Sequence, residues 1–242
     1  MNPIVAHARA ETKMTLARGE SLLLTVGIPL FLLVALNATD FISVPTQRRI
    51  DFLAPGVIAL CIMSTSLVSL SISTGFDRYY GVLRRLYTTP LSARRLIIAK
   101  IISVVVTEAI QILILGGVAV ALGWRPHGGV SAFAFGLTSL LLASAGFGGI
   151  GLFLAGRLRA EINLAASNGL YLILLVVSGF VIPSDNFPHA LRFVIDALPS
   201  GALASIAQHL TVGHGVSWAA IAVLGVWAAA APLLAARTFR FD

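Results

Sequence analysis

The chain has 242 residues, of which 57% are hydrophobic and only 11% charged, with a mean hydropathy of +0.93. That balance excludes a soluble globular domain and identifies an integral membrane protein. The net charge of +7 does not indicate nucleic acid, because the basic residues sit beside apolar runs, where anionic lipid headgroups are the natural partner.

In chain order, residues 1–21 form an N-terminal arm with a weak apolar face, and no secretory signal pattern precedes the first apolar run. Six runs are then long enough to cross a hydrocarbon core of about 30 Å as helices. They are Leu22 to Ala38, Leu53 to Phe76, Ile101 to Gly123, Ser131 to Gly156, Asn163 to Pro183 and Val216 to Ala236. No barrel-like alternation is present, so the fold class is an all-α membrane protein with one six-span domain over residues 22–236. The first run contains Pro29, a site for a tilt or kink. The second carries Cys61 and seven hydroxyl residues between Ser64 and Thr74, most suited to helix packing. A lone cysteine there leaves neither a disulfide framework nor a thiolate metal site.

Between the second and third runs lies the island of charge Asp77 to Lys100. On a helix, Tyr79, Tyr80, Val82, Leu83, Leu86 and Tyr87 share one arc, while Asp77, Arg78, Gly81, Arg84 and Arg85 share the other. One amphipathic helix of two to three turns is expected, either docking a cytoplasmic partner or lying at the interface with its arginines on lipid phosphates. Thr89 and Pro90 suit the cap and first turn of the third span, and Arg94 to Lys100 suit anchors at the lipid surface.

The third run places Ser103, Thr107, Glu108 and Gln111 on a polar face. A carboxyl group in lipid marks either a pathway or gate position or an interhelical hydrogen bond. Gly146, Gly148, Gly149 and Gly151 in the fourth run indicate close helix approach. Arg157, Arg159 and Glu161 form a short second loop. After the fifth run, in residues 184–212, Pro188 to Leu198 is about eleven residues, too short for another crossing, and the segment is interrupted by Pro188 and Pro199, which fits a re-entrant pair of short helices or a helix lying on the surface. The five histidines form no metal-ligand cluster, and a solvated or interfacial place suits them. Residues 237–242 form a short tail.

Thirteen of the 17 Lys and Arg fall on one side of this topology, including the Asp77 to Lys100 insert, and four on the other. Basic residues in short loops stay in the cytoplasm, so both termini are expected there, in the cell membrane.

The arrangement of Arg78, Gly81, Leu83, Arg85, Leu86, Thr89, Pro90 and Leu91 resembles the cytoplasmic loop of type-2 ABC exporter permeases. Ser178 to Leu203 resembles the same family's segment between the fifth and sixth spans. The family's acidic residue before the glycine is replaced by Tyr80. The resemblance implies that Asp77, Arg78, Tyr79, Tyr80, Gly81, Leu83, Arg84, Arg85, Leu86, Thr89 and Pro90 form a coupling helix for an ATP-binding subunit. Arg157, Arg159 and Glu161 would supply a smaller second contact. It also implies a dimer of permeases, identical or paired, exporting a drug, lipid or glycan by alternating access. The sequence contains no G-x-x-x-x-G-K-[ST] loop, so no cofactor is expected on this chain, and ATP and Mg belong to the partner. The chain is accordingly expected not to be an enzyme. A self-contained secondary transporter or channel using Glu108 is the competing reading. Replacing Leu83 and Leu86 by Asp is expected to uncouple the permease from its ATPase.

Overall fold

The computed structural model describes residues 3–17, 19–39, 48–87, 92–125, 129–178, 189–212 and 217–239. These form ten helices and, among the described residues, no strand: α1 Pro3–Ala17, α2 Gly19–Ala38, α3 Arg49–Tyr79, α4 Val82–Tyr87 and α5 Ala93–Ala121. They continue as α6 Gly129–Arg157, α7 Ala160–Val177, α8 His189–Ala197, α9 Pro199–Val212 and α10 Trp218–Thr238.

Five of them, α3, α5, α6, α7 and α10, are long and apolar enough to cross a membrane. The first expected span falls in α2, whose described apolar portion is the shorter segment Thr25–Ala38. α3 is a single rod of 31 residues with a π-helical turn at Ser64–Ser69, where the backbone bonds widen by one residue.

Bundle packing follows from where side chains are small. A Cβ at Gly149 of α6 would stand 2.4 Å from the Pro232 nitrogen of α10, and one at Gly151 would stand 2.6 Å from the Leu67 carbonyl in the π turn. The glycine run therefore brings α6 against two helices at once, as its spacing predicts. Around it, Ile62, Met63 and Leu67 of α3, Phe147 of α6, Ile206 of α9 and Leu224 of α10 build the main core.

The region expected to be re-entrant contains two short helices, with Pro183 and Pro188 outside the described residues. α8 and α9 have 9 and 14 residues, so even the longer rises only about 21 Å, too little to cross. The turn between them is tight: a Cβ at Gly201 would lie 2.1 Å from the Ile195 carbonyl. Trp227 of α10 donates its indole N–H to the Ala197 carbonyl at 2.9 Å, fixing the end of α8. Ala202, Leu203, Ile206 and Ala207 bury α9 among the spans rather than leaving it on the surface.

Candidate coupling surface and the charges beneath it

The end of α3, α4, the start of α5, the α6–α7 turn and the end of α10 meet at one end of the bundle. The expected single amphipathic helix is divided there. α3 continues through Asp77 and Arg78 to Tyr79, and the chain breaks at Gly81, whose φ of 72° is the left-handed conformation that glycine adopts freely. Tyr80 N–H donates to the Phe76 carbonyl at 2.9 Å and Gly81 N–H to the Arg78 carbonyl at 3.0 Å, closing the end of α3. α4 follows as a separate helix of six residues. The third span begins later than Pro90: α5 starts at Ala93, and Ser92 caps it by accepting the Arg95 N–H at 3.4 Å. Thr89, Pro90 and Leu91 lie outside the described residues.

The predicted coupling residues divide into an outward and an inward set. Tyr79 and Tyr80 are 63% and 69% exposed, with ring centroids 5.2 Å apart edge to face, and Val82, Arg84 and Arg85 are also exposed. Leu83 points the other way and is fully buried against Leu96 and Phe239. It fastens α4 to the bundle, so Leu83→Asp would strike packing within the chain before any docked partner. Leu86 lies in α4.

Arg78 also turns inward. Its guanidinium donates to the carbonyls of Ala155 at 2.9 Å and Leu158 at 2.7 Å. The last carbonyls of α6 have no partner within their own helix, and a cation at that end also meets the favourable pole of the helix dipole. Arg78 thus joins the two loops that the sequence kept apart. In the second loop Arg157 is exposed, with its guanidinium carbon 5.8 Å from the Phe153 ring centre, and Arg159 and Glu161 are exposed beside it.

Asp77 and Lys100 are bound together beneath this surface. Lys100, expected as a lipid anchor, is 1% exposed. Its Nζ contacts Glu11 Oε1 of α1 and donates to Asp77 Oδ2 at 3.0 Å. A buried ammonium needs close counter-charges, and α1 supplies one by packing along α5. Burial alone would raise the Glu11 carboxyl, but Lys100, with His7 3.1 Å away, holds it down at about 2. Thr12 of α1 adds a hydroxyl bond to Ser103 at 3.0 Å. The arm with a weak apolar face is thus a 15-residue helix packed along α5 and tied to it by these polar contacts. His7 belongs to this cluster and is half-buried rather than solvated.

The four polar residues of the third span separate by depth. All are buried. Ser103 and Thr107 line a cavity of about 630 Å³ between α1, α2, α3 and α5. Glu108 accepts a bond from the Ser144 hydroxyl of α6, and Gln111 Oε1 accepts from Thr65 at 3.1 Å and Cys61 at 3.4 Å of α3. A further network joins α3 to α7, with Ser71 and Asn163 exchanging two bonds at 2.9 Å and Ser167 donating to Ser71 at 2.9 Å.

The residues missed by the sequence reading are Glu11, His7, Lys100, Ser144 and Asn163. Lys100 did carry a signal: it follows Ile97, Ile98 and Ala99 and precedes Ile101 and Ile102, and a charge inside an apolar run requires a partner. Asn163 and Ser144 carried none that distinguishes them from other small polar residues in spans.

The sequence profile of the ABC-2 type transporter family matches residues 6–209. The probable multidrug ABC transporter permease YbhS of Escherichia coli (strain K12) is 26% identical over 176 residues, covering 71% of this chain and 46% of the relative. The protein of the same name from Escherichia coli O157:H7 matches to the same extent. The chain thus spans about half the length of the curated relatives it matches.

Proposed function

The chain belongs to the ABC-2 type transporter family, and we propose that it is the permease subunit of an exporter driven by a separate ATP-binding protein. The observation that carries this reading is the surface tied by Arg78, where the exposed Tyr79, Tyr80, Arg84 and Arg85 lie on one loop and Arg157, Arg159 and Glu161 on the other. A partner seated on it would push on the end of α3 and the α6–α7 turn together. The two hydrogen bonds of Arg78 would couple the movement of one to the other.

In this reading six spans cross the cell membrane with both termini in the cytoplasm, and the coupling surface faces the cytoplasm. The distribution of basic residues supports that orientation. ATP and Mg bind the partner, whose closure moves α4 and the end of α3. A second permease copy, identical or paired, completes the pathway, and substrate is released outward by alternating access. The multidrug designation of YbhS supports a hydrophobic or amphipathic substrate. Ser103 and Thr107 lie on the wall of the cavity, which supports a pathway role, whereas Glu108 and Gln111 hold α5 to α6 and α3.

The test is to isolate the chain from its native membranes in mild detergent and identify bound proteins by mass spectrometry. An ATP-binding-cassette protein should co-purify with it. Its absence, together with transport by this chain alone under a proton gradient, would replace the reading with a secondary transporter.

A further inference from the structure

We propose that the cavity between α1, α2, α3 and α5 binds monocationic amphiphiles, with the cationic group on Asp77 and the apolar body along Val68, Ile72 and Phe76. The inference rests on the exporter reading only in taking such molecules as the cargo.

The chemistry follows from an uneven set of charges. Lys100 is the one ammonium, and it is shared between Glu11 and Asp77. One ammonium thus serves two carboxylates beside spans of low dielectric, where a further cation next to the more open carboxylate is favoured. The two carboxylates are unequally placed. Glu11 is 13% exposed and sits between Lys100 and His7, while Asp77 is 32% exposed and lines the cavity, giving it room for a second cation.

The remaining walls suit a molecule with an apolar body. α3 contributes the half-buried Val68, Ile72 and Phe76, and Tyr80 stands at the same end, its ring 6.1 Å from that of Phe76. An aromatic face favours a cation within about 6 Å of it. Hydroxyls of Thr15, Ser69, Ser73 and Thr107 provide acceptors without adding charge. The volume of about 630 Å³ falls in the range of about 300–1,000 Å³ typical of sites for drug-sized ligands.

The experiment uses the purified full chain in lipid nanodiscs and ethidium as the probe, with saturable binding read by fluorescence against a neutral planar aromatic of similar size. Asp77→Asn removes the more open carboxylate of the cavity and should weaken ethidium at least about tenfold. Lys100→Met leaves two carboxylates facing the cavity and should tighten it by about tenfold. Opposite signs for two substitutions in one ion cluster are not produced by simple loss of packing. Ile72→Trp narrows the cavity without altering charge and should weaken binding even where a charge variant fails to fold. The proposal is overturned if wild type shows no saturable ethidium binding, if the neutral compound binds equally well, if Asp77→Asn and Lys100→Met change affinity in the same direction or not at all, or if Ile72→Trp binds as wild type. None of these measurements involves the ATP-binding partner, so their failure leaves the permease reading to its own co-purification test.

Discussion

Removing the Arg78 guanidinium should separate the two loops of the coupling surface, and Arg78→Ala is the direct perturbation. A hydrogen bond with one charged partner is worth about 1.5–3 kcal/mol, and Arg78 makes two, to Ala155 at 2.9 Å and Leu158 at 2.7 Å. Arg78 is half-buried, so water replaces part of what is lost and the lower end of that range applies. The pair together then contributes about 3 kcal/mol. Arg78→Lys keeps the charge but has a single donor centre in place of the planar fork, and should recover less than half. The assay has two arms: thermal unfolding in detergent, and ATP hydrolysis by the co-purified partner with and without substrate. Arg78→Ala should lower the midpoint by several degrees and reduce substrate stimulation more than basal hydrolysis, with Arg78→Lys between it and wild type. An Arg78→Ala protein that melts and responds to substrate as wild type does would refute the reasoning.

Other substitutions probe the remaining joints. Gly149→Ala adds a methyl group 2.4 Å from the Pro232 backbone nitrogen, which no rotamer change relieves, so it should destabilise by about 1–3 kcal/mol in thermal unfolding despite alanine's better helix propensity. Glu11 is held at about 2 against an ordinary 4.5, so its contribution to the α1 attachment is complete above about pH 4.5 and fades as pH falls toward 2. A spin label on the exposed Met14 should gain mobility across that window, whereas Glu11→Gln should show it already at pH 7. Glu108 holds α5 to α6 through the Ser144 hydroxyl, so Glu108→Gln, which keeps an acceptor oxygen, should leave transport largely intact, and a loss of transport would instead place its charge in the pathway.

The long helices were legible because lipid leaves a chain one way to satisfy its backbone, so length and apolarity alone located α3, α5, α6, α7 and α10. The close contact of α6 was equally plain, since a run of glycines inside a span has few other uses. Direction within the coupling segment was not legible. The helical projection put Leu83 on the same arc as Tyr79 and Tyr80, but it assumed one continuous helix, and the left-handed turn at Gly81 resets the phase so that Leu83 faces inward while the tyrosines face out. The position of Arg78 was hidden for a related reason: its acceptors are backbone carbonyls about 80 residues away, and a carbonyl leaves no mark in sequence. The Glu11–Lys100–Asp77 cluster joins three elements, and pairing Lys100 required knowing that α1 lies along α5.

The central claim is that this chain transmits ATP hydrolysis in a partner to the movement of substrate, and the exposed arginines of α4 offer the most direct test. The chain and its co-purified ATP-binding protein should be reconstituted together in vesicles, with Arg84 and Arg85 both replaced by Glu in a parallel preparation. The account predicts ATP-dependent transport by the wild-type pair, and loss of both transport and partner binding in the double variant while that chain still inserts and purifies as a folded protein. Transport that persists in the double variant, or that proceeds without ATP under a proton gradient, would contradict it.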